Sequence, residues 1–437
     1  MNYDKSLPRF FRLTGINKPY KEFKKFCLEN EPKENEYFSL GYETFGIILY
    51  NYCRWLMKNL SREGIHQVLF FSRDGYIMKK AFEMIPGNEV FDRKYIYLSR
   101  RSLRVPTLWF SNISRFNAIF PTRFISIKDL FSSIGLDSRE YAAVLSKNGL
   151  SEQTIIRGEE IENNKNIVNL LDEIWLDVEK ESKDEYEIAL EYLRSFELEE
   201  RVACVDIGWR GTMQNYLNQL IQKSGMSVIT KGYYITLNSD MLSGVDMRGY
   251  LMSVDNKSNG CDLLRGYVGL IETLFLKTEG STKKYVRTKE GNVEPELEEY
   301  EYMECEEYSY EAKAVSDIQN GAIQFICDYV KSQKDFLDDF DDYLTFYNLN
   351  YFATNPSLKD VKMFADFRFY NNGTISYLAR SKSIWYYLFH IKQLKEDFYG
   401  SRWRIGFMKN LFRVPIPYKV LIDLLMIYVK KSPQNIS

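Results

Sequence analysis

Histidine is almost missing from this chain: His66 and His390 are the only two in 437 residues, so a mechanism built on imidazole has little material to work with. Acid–base chemistry then falls to carboxylates. His66 opens an apolar run and His390 follows Trp385 and Phe389, settings that suit surface or packing roles. The six cysteines, at positions 27, 53, 204, 261, 305 and 327, show no paired C-x-x-C spacing. That pattern argues against structural zinc and against a disulfide framework, and points to a reducing compartment. No stretch reaches the roughly 18 apolar residues of a membrane span. The chain also begins without a basic start and apolar run, so a cytoplasmic protein is expected. The formal net charge is −2 with both signs interspersed, which leaves no overall field for nucleic acid. Any polyanion has to be held locally.

What the chain does contain is two apolar runs that pass directly into charged, glycine-bearing turns and then into amphipathic segments. They are Val68-Leu69-Phe70-Phe71-Ser72-Arg73-Asp74-Gly75-Tyr76 and Val202-Ala203-Cys204-Val205-Asp206-Ile207-Gly208-Trp209-Arg210-Gly211-Thr212. A strand, a glycine turn and a helix start aim free N–H groups and the positive helix end at one point, which suits phosphate. Between them the periodicity predicts a helix over 40–60, a strand at 67–71, a helix at 76–85 and a second strand at 94–98. A strand at 201–206, a helix at 212–223 and a strand at 228–237 follow.

The expected fold is α/β, a Rossmann-like parallel sheet with a helical insertion and a helical C-terminal region. Its parts are an N-terminal wrapping segment (1–40), the first half of the core (41–109), a helical insertion (110–200) ending in a long charged helix over about 170–197, the second half of the core (201–290), and an acidic segment with the helical C-terminal region (291–437). The ten glutamates from Glu290 to Glu311 read as a solvated surface. Near the end, Arg402, Arg404, Lys409, Arg413 and Lys419 alternate with Phe407, Leu411 and Phe412. Such a basic amphipathic stretch either packs one face on the core or lies on an anionic membrane.

If the strand ends are neighbours, Arg73, Arg100, Arg101 and Arg210 converge on the carboxyl edge of the sheet, where α/β proteins bind ligands. Several guanidinium forks beside two helix starts imply a ligand with more than one phosphate. Gly75, Gly208, Gly211 and Thr212 read as the cradle. Asp74 and Asp206 suit sugar hydroxyls or a magnesium ion, with Asp206 the metal ligand. A plain helix N-cap is the competing explanation for both. Glu272, a lone acid in the apolar stretch Gly269–Phe275, is either a base or a partner holding an arginine.

The series Ser72-Arg73-Asp74-Gly75-Tyr76, Tyr97-Leu98-Ser99-Arg100-Arg101, Val205-Asp206-Ile207-Gly208-Trp209-Arg210-Gly211-Thr212 and Glu272 with Gly280-Ser281 resembles the glycan phosphoribosyltransferase domain of bacterial ribofuranosyltransferases, over about residues 40–290. The resemblance implies a cytoplasmic glycosyltransferase of surface-polysaccharide assembly (O-antigen or capsule). It would move 5-phosphoribofuranose from phosphoribosyl pyrophosphate, with magnesium, to a hydroxyl of a glycan acceptor, free or lipid-linked. It also implies Asp74, Asp206 and Glu272 as catalytic groups. In the family this domain is often joined to a haloacid-dehalogenase-type phosphatase. No apolar strand ending in Asp-x-Asp precedes Leu40, so a separate phosphatase is expected. Common phosphoribosyltransferases place two adjacent acids before a Thr-Gly pair, whereas here Asp206 precedes Ile207 and the later pair is Gly211-Thr212. A haloacid-dehalogenase-related sugar-phosphate hydrolase and a non-catalytic phosphoglycan-binding assembly protein are the alternatives. Peripheral contact with the inner membrane through the basic C-terminal region is the further expectation.

Overall fold

The computed structural model describes residues 18–111, 124–238, 241–251, 266–304, 307–371 and 374–431. Its centre is a five-stranded sheet of β1 (Gln67–Phe71), β2 (Asp92–Ile96), β3 (Arg201–Trp209), β4 (Ile229–Leu237) and β5 (Met247–Gly249). The spatial order is β2-β1-β3-β4-β5 and every pairing is parallel. All five residues of β1 are buried, as expected of a parallel strand covered on both faces.

Strand alternation assigns the two faces. Val68, Phe70, Ala203 and Val205 join a core with α1 (Gly46–Glu63) and α2 (Gly75–Glu83). Leu69, Phe71, Val202 and Cys204 face the other way, onto α5 (Thr212–Ser224) and the end of α4 (Lys165–Arg194). The first crossover runs from β1 through α2 to β2, the other from β3 through α5 to β4. With parallel strands and right-handed crossovers, the order therefore reverses between β1 and β3. In a doubly wound sheet that reversal opens a crevice at the carboxyl ends.

The remaining elements brace this edge. α1 continues a helical run from Glu36 through a π-helical turn at Gly41–Phe45, and ends where Gly64 takes φ +62°, the left-handed C-cap. After β2, the short helix α3 (Arg100–Arg104) is capped by Ser99, whose hydroxyl accepts from Ser102 N at 2.9 Å and donates to Thr282 O at 2.6 Å. A hairpin of β6 (Thr282–Arg287) and β7 (Val293–Leu297) stands apart from the main sheet and packs against α3 and α4. The insertion has its own cluster of buried residues, including Ile125, Phe131, Leu170 and Val178.

Several expectations shift. The second strand spans Asp92–Ile96 and the long helix Lys165–Arg194, each starting earlier than predicted. The insertion is not purely helical: Phe124–Ser126 pairs antiparallel with Ile155–Arg157, while its residues 112–123 lie outside the described residues. The helix Lys18–Asn30 buries Tyr20, Phe23, Phe26 and Cys27, so this part of the N-terminal segment belongs to the core. Residues 1–17, Cys261 and Cys305 lie outside the described residues. Within the acidic stretch, Val293–Leu297 is a strand and Glu301 makes an ion pair, so it is not simply solvated. At the C-terminal end, Trp403 is fully buried and its Nε1 donates to Ala353 O at 2.8 Å. Phe407 and Leu411 are buried as well, so this segment packs one face on the core. Among the described residues no helix is long and apolar enough to cross a membrane.

Candidate active site

Asp74 follows β1 and Asp206 lies near the end of β3, the two strands flanking the reversal of order. Their carboxyl groups share a hydrogen bond. Asp74 makes no side-chain cap to α2, and Asp206 lies within the strand rather than at a helix start. The N-cap explanation therefore fails for both. Burial pushes the Asp74 carboxyl up to about 6, against the opposing pull of Arg73 and Arg100. Burial also raises Asp206 well above the carboxylate range, and its neighbour Asp74 adds to the rise; the Ile207 N–H and Arg100 oppose it. A hydrogen bond between two carboxyls needs a proton on one of them, and burial favours its retention.

Glu272 joins them from α6 (Val268–Phe275). Burial raises it to about 7; Arg402 is the main opposing charge, Asp74 adds to the rise, and Arg100 and the Trp209 side chain lower it. Its Oε2 is buried and accepts no hydrogen bond. A carboxyl poised near neutrality with an open oxygen suits a general base.

Arg100 is exposed, lies within electrostatic reach of Asp74, Asp206 and Glu272, and makes no ion pair of its own among the described residues. The sequence places Arg402 only in a basic amphipathic stretch. Here its backbone bridges two elements, accepting from Gly269 N at 3.3 Å and donating to Tyr377 O at 3.3 Å. Its guanidinium lies 4.3 Å from the Phe369 ring centre. Trp209, also missed, has φ +81°, an unusual backbone for a non-glycine residue, and such residues cluster at functional sites. The only sequence cue to either was an aromatic residue next to arginine.

The other arginines divide. Arg73 Nη1 donates to both carboxylate oxygens of Glu301 at 2.8 Å and to Glu279 O at 3.3 Å, yet it still acts electrostatically on Asp74. The Ser72–Arg73 peptide is cis. Arg101 does not join the cluster. It forms a two-pronged ion pair with Glu185 at 2.7 and 3.0 Å and also bonds the carbonyls of Lys283 and Ser132. It couples the insertion to the hairpin. Arg210 is exposed at the end of the turn after β3.

The predicted cradle glycines have steric reasons of their own. A Cβ on Gly208, at φ +116°, would stand 2.3 Å from Thr236 O, and one on Gly75 would stand 2.9 Å from the Phe70 carbonyl carbon. Gly211 takes φ +75° where α5 begins, and Thr212 is its first residue. Close packing explains Gly75 and Gly208, and the left-handed backbone explains Gly211, before any ligand does.

Among the described residues no group of three or more His, Cys, Asp or Glu side chains forms a ready metal site. Asp74 and Asp206, once they lose their shared proton, suit magnesium as one or two hard oxygen ligands, the pattern seen when substrate phosphates supply the rest. The histidines are elsewhere: His66 is exposed before β1, and the His390 ring stacks on Tyr386 at 4.1 Å. A separate groove of about 440 Å³, lined by residues including Lys362, Arg368 and Arg380, contains none of the clustered groups.

No family model matches the chain, and no curated protein matches it.

Proposed function

We propose that the carboxyl edge between β1 and β3 is the active site of a glycan phosphoribosyltransferase, moving 5-phosphoribofuranose from phosphoribosyl pyrophosphate to a glycan hydroxyl. The observation that carries this reading is the meeting of Asp74, Asp206 and Glu272 with Arg100 and Arg402 at the point where the strand order reverses. A purely structural cluster would pair these charges off. This one leaves Arg100 without an ion pair among the described residues and a Glu272 oxygen without a hydrogen bond.

In this reading the donor's phosphates lie at the N-terminal ends of α2 and α5, facing Arg100 and Arg402, where charge neutralisation favours departure of pyrophosphate. Gly75 opens α2, and Gly211 and Thr212 stand at the start of α5, so their backbone forms those phosphate ends; Gly208 lets β3 pack close to β4. Arg73 contributes field from its Glu301 pair, and Arg210 closes the outer side. As the C1–O bond breaks, its electron pair leaves with pyrophosphate and positive charge grows on the ribose ring. Asp74 and Asp206 stabilise that charge. The acceptor oxygen forms the new bond to C1 and its proton passes to Glu272. Asp74 is tied to Asp206, which favours Glu272 over Asp74 for this step. Magnesium, if bound, would be held by Asp206 and would supply positive charge that offsets the donor's phosphates.

Direct displacement on the α-diphosphate gives a β-ribofuranoside that keeps its 5-phosphate, so a phosphatase must act afterwards. The experiment is incubation with phosphoribosyl pyrophosphate, magnesium and a glycan acceptor, followed by mass and linkage analysis. A gain of one phosphoribosyl unit supports the reading. An α-linked product refutes single displacement. Acceptor-independent release of inorganic phosphate from sugar phosphates replaces the transferase with a hydrolase, and tight binding of a phosphoglycan without turnover replaces it with a binding protein.

A further inference from the structure

Away from the catalytic edge, α7 (Ile384–Phe389) and α8 (Ile391–Gly400) meet at a corner on His390, whose backbone at φ −135° and ψ 59° breaks the helix. On this corner Trp385 is 72% exposed, Leu388 58%, Phe389 84% and Ile391 63%. Single exposed apolar side chains are ordinary; four large ones within seven consecutive positions form a patch that calls for a partner.

The corner is firmly held. Tyr387 is buried and donates to Asp397 Oδ2 at 2.6 Å, Ser383 caps α7 through Tyr386 N at 3.2 Å, and Phe398 is buried behind it. The chain thus fixes the apolar side outward. Arg380, Lys382, Lys392 and Lys395 flank it in sequence; Glu396 and Asp397 follow, and Asp397 is engaged by Tyr387 and Gln393. Arg380 pairs with Asp366, and the three lysines are exposed; Lys382 lies over the Tyr386 ring at 4.3 Å.

We propose that this corner docks the protein on an anionic lipid surface, with Trp385, Leu388 and Phe389 entering the headgroup–acyl boundary and Lys382, Lys392 and Lys395 meeting lipid phosphates. Aromatic side chains favour that boundary and lysines favour its negative potential. A second copy of the chain is a poorer occupant, because two-fold pairing of this corner would set lysines against lysines. The inference rests on the surface alone and does not require the transferase reading. It also differs from membrane contact through Arg402–Lys419, since Arg402 lies in the site and Phe407 and Leu411 lie in the core.

The test is co-sedimentation of the full chain with phosphatidylcholine vesicles, with and without phosphatidylglycerol. Binding should require the anionic lipid and weaken in high salt. Trp385→Ser combined with Phe389→Ser, both at exposed positions, should lower vesicle affinity by at least about tenfold. Lys392→Glu combined with Lys395→Glu should lower the affinity for anionic vesicles by a similar factor. Acyl-brominated lipids should quench part of the wild-type tryptophan fluorescence, and that part should be absent in Trp385→Phe. Absence of vesicle binding, binding unchanged in the serine variant, equal binding to neutral vesicles, or a solution dimer abolished by that variant would each overturn the proposal.

Discussion

Arg100 and Arg101 are adjacent in sequence and open the same short helix, yet they live in opposite electrostatic settings. Arg101 is matched: Glu185 takes two of its N–H groups, and their side chains are only 11% and 6% exposed. Arg100 faces three carboxyls that are themselves crowded, and none is positioned to form an ion pair with it. The same residue types thus build two devices. Where each charge has a partner, the pair fixes the architecture; where the charges are unmatched, the site holds groups ready for an incoming ligand.

The strongest challenge to this contrast is to neutralise the unmatched side. On the proposed reaction, Glu272→Gln should lower the transfer rate by about 10²–10⁴-fold without unfolding the protein, in the range expected for loss of a general base. Asp206→Asn should fall in the same range. In wild type the rate should climb as pH rises through about 7, where Glu272 loses its proton, and Glu272→Gln should lose that limb. A pH–rate profile with no limb near 7, or a fully active Glu272→Gln, removes Glu272 from the base role.

Breaking the matched side should cost stability instead. Glu185→Ala strands the Arg101 guanidinium in a buried position and should destabilise the fold by about 3 kcal/mol. Denaturant unfolding measures that loss, and turnover of the remaining folded enzyme should stay close to wild type. A variant that is fully stable but inactive would reverse the roles assigned to the two arginines.

Arg402 tests the link between the regions. Its charge lowers Glu272, so Arg402→Ala should move the pH limb to higher pH and reduce kcat/KM by about 10–100-fold, the loss expected from one charge-assisted contact. Arg402→Lys keeps the charge and should keep the limb in place. A purely structural role would change stability in both variants and move neither limb.

The smallest effect is thermodynamic. Asp74 and Glu272 titrate at about 6 and about 7 in the folded state, against about 4 when unfolded. Between those limits the folded chain binds more protons than the unfolded one, so their contribution to stability falls as pH rises from about 4 to about 7 and is then constant. Glu272→Gln should remove part of that decline and be more stable than wild type at pH 8 by on the order of 2 kcal/mol. Unfolding curves at several pH values read the difference directly.

Much of the edge was legible because its signals are local. The apolar runs ending at Phe71 and in the Val202–Asp206 stretch announce buried parallel strands, and an aspartate beside each turn announces the strand ends. Glu272 stood out as an acid in an apolar helix. The fates of Arg73 and Arg101 were not legible, since their partners Glu301 and Glu185 lie 228 and 84 positions away. Nothing near either arginine marks those glutamates among the many others.

By itself, the amino-acid order determined the strand–turn–helix units and the poverty of histidine, which leaves carboxylates as the candidate acid–base groups. Each follows from interactions within a few residues or from composition alone. Only the tertiary structure decided which arginines are consumed in ion pairs, that Asp74 and Asp206 share a proton rather than cap helices, and that Arg402 reaches Glu272 from the far end of the chain. Those outcomes depend on burial and on distances between segments that sequence proximity does not encode.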